Sequence, residues 1–139
     1  MRVHHFCFFA AALAALTGMS LGIGMGMMQD FTLAPVHAHL NLLGWVTLCL
    51  YGLYHRGVRR PSDRLAWIQV GLAAFSLPLM TGALAGLFLT GDMRWEVAVI
   101  AGSIGTIGAM ALFVAILALD LRRETDAPVA DPRYLARPV

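Results

Sequence analysis

The 139-residue chain is 59% hydrophobic and only 13% charged, with a mean hydropathy of +0.73, against about 25% charged in ordinary soluble chains. So little polar surface cannot face water on every side, which excludes a soluble globular domain. The formal charge is +2 and all ten basic residues are Arg, set at segment ends rather than in a patch, which excludes a nucleic-acid partner.

Four apolar stretches follow one another, at residues 6–28, 35–54, 65–90 and 97–119. Each is near the ~20 residues that a helix needs to cross a hydrocarbon core of about 30 Å. No polar–apolar alternation appears, and four strands could not close a barrel. The expected fold is therefore all-α: a polytopic membrane protein with four transmembrane helices over residues 1–123, and a flexible cytoplasmic tail at 124–139 rich in Pro, Asp and Arg.

The first stretch follows Arg2 and has some marks of a secretory leader. It runs on through Gly22, Ile23 and Met25, too long for the 7–15-residue apolar core of such a leader, and no small-x-small site follows, so a retained helix is expected. Gly18, Gly22 and Gly26 recur at four-residue spacing, as do Gly82 and Gly86 in the third stretch and Ala101, Gly105 and Ala109 in the fourth. In lipid such stripes let helix backbones approach closely, within one bundle or between protomers. Met19, Met25, Met27 and Met28 end the first stretch, and Gln29 and Asp30 cap it or face water. Cys7 and Cys49 sit inside apolar runs and read as small buried hydrophobes rather than a disulfide.

The second stretch opens Pro35-Val36-His37-Ala38-His39. Proline suits the first turn of a helix, which places both histidines inside the membrane but near one surface, where ionisable groups are costly and mark function. Positions two apart on an α-helix point about 200° away from each other. One helix therefore cannot wrap both imidazoles around a single ion, but it can serve two separate sites, one on each side. Asn41, Gly44, Leu48 and Gly52 follow His37 at helical spacing, and the two glycines leave a shallow groove for a flat macrocycle or a neighbouring helix. Hydrogen bonding of the two histidines to other helices or to interfacial water is the alternative reading.

The arginines set the expected orientation. Four lie in the connection at 55–64, one at Arg2, and Arg122, Arg123, Arg133 and Arg137 close the chain, whereas the other two connections share only Arg94. The positive-inside rule then places both termini in the cytoplasm, in a cell inner membrane. Trp67 and Trp95 fit interfacial anchors, as do Tyr51 and Tyr54, and Pro78 is expected to kink the third helix. His4, His5 and His55 fall at the arginine-rich edge in interfacial positions. Asp92, Arg94 and Glu96 read as a solvated turn, and Asp120-Leu121-Arg122-Arg123 as the stop after the last helix. No phosphate loop, nucleophile elbow or C-x-x-C-H haem-attachment sequence is present.

The stretch His37-Ala38-His39-Leu40-Asn41-Leu42-Leu43-Gly44-Trp45-Val46 resembles the histidine-bearing tenth helix of the catalytic subunit of haem–copper oxidases, closest to the C-family oxidases and nitric-oxide reductases. In that family the first histidine binds a high-spin haem and the second a low-spin haem. The resemblance implies non-covalent haem b with His37 and His39 as axial ligands, beside Asn41, Gly44 and Trp45. It covers about twenty residues, centred on the second helix. The family's copper centre needs histidines on two further helices, and this chain has only His4, His5 and His55 besides the pair, so a complete oxygen-reducing centre is not expected. The family subunit has three four-helix arcs, each with metal ligands on its second helix. Three copies of this chain, a homotrimer, would form such a twelve-helix ring, with His39 of one copy and His37 of the next holding a haem. Electron transfer, or binding of a diatomic gas, is the function implied. The alternative is extracytoplasmic copper handling or assembly through Met25, Met27 and Met28 with the histidines, since thioethers and imidazoles suit Cu(I). A purely structural membrane subunit is the third reading.

Overall fold

The computed structural model describes residues 1–58 and 64–126. These are all-helical and contain no strand: α1 (Val3–Met28), α2 (Ala34–Gly57), α3 (Arg64–Thr90) and α4 (Trp95–Asp126). All four are long and apolar enough to cross a membrane, and no more than 28% of the most apolar window of any span is buried, so most of the apolar surface is left to face hydrocarbon. Arg59, Arg60 and the tail beyond Asp126, including Arg133 and Arg137, lie outside the described residues.

Two short turns with the same chemistry make two antiparallel hairpins. α1 stops where Gln29 adopts a left-handed φ of 53°, with its N–H and that of Asp30 both on the Met25 carbonyl. α3 stops at Gly91, φ 67°, whose N–H reaches the Leu87 carbonyl at 2.9 Å. In each turn the next residue is an aspartate whose side chain closes an Asx turn. Asp30 Oδ1 accepts the Thr32 hydroxyl at 2.6 Å and its N–H at 3.0 Å, and Asp92 Oδ1 accepts the Arg94 N–H at 2.9 Å. The Thr32 hydroxyl and N–H hold the Asp30 carboxyl below its usual pKa, and the Arg94 guanidinium does the same for Asp92.

Within the α1–α2 hairpin the small and large residues interlock. Near the turn α1 supplies the glycines. A Cβ on Gly22 would stand 2.7 Å from the His37 ring, and one on Gly18 would stand 2.6 Å from the Asn41 amide. Further from the turn the roles reverse. A Cβ on Gly44 would meet Ala14 at 2.6 Å, and one on Gly52 would meet Cys7 and Phe8 at 2.9 Å. The groove expected along His37, Asn41, Gly44, Leu48 and Gly52 therefore exists and is filled by α1. Gly26, the third member of the α1 stripe, faces open space. In the α3–α4 hairpin Gly102 lies on the Met80 backbone, Gly105 on the Ser76 hydroxyl, and Gly86 under the Trp95 ring. Ala101, expected in that seam, is exposed, and its neighbour Gly102 makes the contact.

The hairpins join through α2 and α3, over a core of Val3, Cys7, Ala11, Leu48, Tyr51, Val70 and Leu77 among others. α1 and α3 meet at their N-terminal ends, where the Phe6 and Trp67 rings are 5.7 Å apart. α4 reaches α2 through side chains: Tyr51 OH donates to Met110 Sδ at 3.6 Å, and Tyr54 OH to Asp120 Oδ2 at 2.9 Å. Beside them His55 Nε2 donates to Gln69 Oε1 at 3.0 Å. Tyr51, His55 and Asp120 are all buried, where the sequence suggested an interfacial belt and a solvated stop. For His55 and Asp120 the reason is length: α2 and α4 run past their apolar stretches and meet there. Tyr51 lies inside its stretch and packs against Phe113 of α4. Tyr54→Phe, which strips a hydrogen bond from a buried carboxylate, is expected to lower stability by about 1.5–3 kcal/mol, read from denaturant unfolding in detergent.

Candidate functional site

The histidine pair sits in the opening α-helical stretch of α2, Ala34–His39, with Pro35 in its first turn. His37 points toward α1. Its Nδ1 lies 2.8 Å from the Gly18 carbonyl, and a carbonyl only accepts, so Nδ1 carries the proton. The Asn41 amide nitrogen is 3.4 Å from both ring nitrogens and 2.8 Å from the His37 carbonyl, which sets the amide over the ring and ties it to the helix. His39 lies on the other side of α2, half-buried, with Nδ1 donating to the Pro35 carbonyl at 2.6 Å.

Both imidazoles are thus fixed in the same tautomer by backbone carbonyls; Nε2 of His39 keeps an open lone pair, and that of His37 faces the Asn41 amide nitrogen at 3.4 Å. A ring N–H given to a carbonyl or carboxylate is the usual partner arrangement of a metal-ligating histidine, because it fixes the ring and raises the basicity of the free nitrogen. The donor chemistry therefore fits an axial ligand of iron. The enclosure within one copy does not. Neither His37 nor His39 lines the cleft between α1 and α3 or the small cavity beside Tyr51, and among the described residues no three His, Cys, Asp or Glu side chains converge.

Of the other residues singled out from the sequence, Gly44 is buried against Ala14 and Leu77. Trp45 lies on the outward surface with Leu42, Val46, Leu50 and Leu53. Directly after the histidines α2 widens into a π-helix over Leu40–Thr47, closed by the Thr47 hydroxyl on the Leu42 carbonyl five residues back. π-Helical turns inside α-helices occur frequently at functional sites. Met25 is buried, whereas Met27 and Met28 are exposed beyond three-quarters. The three methionines therefore do not share one environment.

Sequence reasoning missed two features. One is the pairing of Gly18 and Gly22 with Asn41 and His37. Its signal was available: both pairs have four-residue spacing and lie equally far from the turn between α1 and α2. The other is Gln69, wholly buried, whose Oε1 accepts from His55 and whose own amide nitrogen has no hydrogen-bond partner. Nothing in its local sequence distinguishes it.

Four membrane-length helices and no strand among the described residues define a multi-pass membrane protein. Compared with protein-family models, curated proteins and solved structures, the chain matches none.

Proposed function

We propose that the chain is a membrane haem b protein, resembling one four-helix unit of a haem–copper oxidase, that carries electrons or binds a diatomic gas. His37 and His39 are its axial ligands. The observation that carries this reading is the matched pair of Nδ1–H bonds to the Gly18 and Pro35 carbonyls, which leaves one unprotonated Nε2 on each side of a single membrane helix. The oligomeric state belongs to the same reading. A half-exposed imidazole on a lipid-facing helix surface is costly unless another protein surface covers it, and neither ring lines the cleft between α1 and α3 or the small cavity beside Tyr51. A neighbouring copy supplies the missing wall, and a head-to-tail ring of three, with the termini cytoplasmic in the inner membrane, gives every haem one His39 and one His37 from adjacent copies. With imidazole on both axial positions no open iron site remains, and electron transfer is favoured; with one imidazole, gas binding is.

The optical spectrum of the purified protein tests this directly. A Soret band with sharp α and β bands on reduction is the expected result. Copper without a Soret band points instead to copper handling at the end that carries the exposed Met27 and Met28. A colourless, metal-free protein expressed with ample iron and porphyrin sinks both readings and leaves a structural subunit. The assembly has its own test: the haem-loaded protein in detergent is expected at three times the chain mass, and a monomeric mass rules the ring out.

A further inference from the structure

Where α2, α3 and α4 come together they enclose a small cavity, lined by residues that include Thr47 and Tyr51 of α2, Ala73 of α3, and Thr106 and Met110 of α4. The three helices present it in register. Thr47 lies one turn before Tyr51, Thr106 one turn before Met110, and Ala73 one turn past Gln69. Gln69 and Tyr51 are neighbours across the seam between α2 and α3. The Gln69 amide nitrogen is wholly buried and has no hydrogen-bond partner among the described residues. Its side chain is pinned, because Oε1 accepts from His55 at 3.0 Å. A buried N–H without an acceptor is costly, and the hydrocarbon around a membrane bundle supplies none. Acceptors do stand across the cavity. The Thr47 hydroxyl gives its proton to the Leu42 carbonyl at 2.8 Å, and the Thr106 hydroxyl gives its own to the Gly102 carbonyl at 2.9 Å. Each hydroxyl oxygen therefore keeps its lone pairs.

We infer that this cavity is a hydration site for one water molecule, which accepts from Gln69 Nε2 and donates to the Thr47 and Thr106 hydroxyl oxygens. Size and chemistry select that occupant. The cavity holds about 20 Å³, and a water needs about 10–15 Å³. Organic ligands occupy pockets from about 300 Å³ upward, so none fits. A metal cation is excluded by polarity, since it requires a shell of lone pairs and the Gln69 amide presents protons. A buried water makes about three hydrogen bonds, and here the three partners come one each from α2, α3 and α4. The water thus ties α4 to the other two helices one turn deeper in the membrane than the Tyr51–Met110 contact. The inference rests on the helix packing and does not depend on haem.

The test is a crystal structure of the full chain grown from a lipid mesophase, at a resolution that shows ordered waters. The unaltered chain is expected to show one water-sized density peak within hydrogen-bond distance of Gln69 Nε2 and of both threonine hydroxyls. Ala73→Val, which adds two methyl groups at the cavity wall, is expected to remove the peak while helix content stays unchanged. Ala74→Val makes the same change one residue along α3, at the cleft between α1 and α3, and is expected to keep it. Absence of the peak in the unaltered chain overturns the inference whether or not the variants fold. So does a peak that survives Ala73→Val, or density there that is larger than a water or has the short contacts of a metal ion.

Discussion

His37→Ala and His39→Ala are each expected to lose nearly all bound haem while the helical spectrum stays unchanged. Removing only the hydrogen-bond partner of a metal-ligating histidine typically costs about 10–100-fold in affinity, and removing the imidazole itself costs more. In a head-to-tail ring each haem takes one ligand of each kind, so either substitution damages every site rather than half of them. Imidazole added to the medium is expected to restore a six-coordinate spectrum in both variants, a recovery that general unfolding would not allow. Haem content that stays at its original level in either variant defeats the ligand assignment for that residue. Equal loss in both, with equal rescue, is the outcome that a shared site requires.

The second large effect concerns Gly22, the glycine against which the His37 ring is seated. Gly22→Leu is expected to destabilise the chain by about 1–3 kcal/mol and to reduce haem binding together with stability. The new Cβ alone would stand 2.7 Å from His37 Cε1 and 3.1 Å from Nδ1, so the ring must leave its place or α1 must move off α2. Either movement breaks the bond to the Gly18 carbonyl that fixes the tautomer. Gly26→Leu, one turn along the same stripe, meets nothing and is expected to fall within about 0.5 kcal/mol of the parent. Denaturant unfolding in detergent, followed with haem absorbance, separates the two. Equal behaviour of the two variants would show that α1 does not seat against His37 in the membrane.

The four spans were legible because hydrocarbon imposes a length. The described helices reproduce residues 6–28 and 65–90 closely, and they extend the second and fourth stretches outward to Gly57 and Asp126. Those extensions were not legible, since the added residues are polar and hydropathy alone ends a span where polarity begins. Burial of His55, Gln69 and Asp120 at that edge depends on three helices arriving together. The π-helix was equally hidden. Leu40–Thr47 is an ordinary apolar helix by composition, and its i→i+5 bonding changes the angular register that a 3.6-residue period assigns beyond Asn41.

By itself the sequence determined the number of helices, the ends of the first and third near residues 28 and 90, and the two-residue spacing that sends His37 and His39 to opposite sides of one helix. These follow from local facts: apolar run length and the helical period. Only the tertiary structure decided that the glycine groove on α2 is filled by α1, that Gly18 and Gly22 seat Asn41 and His37 while Gly26 seats nothing, and that α1 and α3 part to leave a cleft. Which of two identical glycines is covered depends on the crossing of two helices, and that crossing is fixed by side-chain packing along their whole length rather than by any residue's neighbours in the chain.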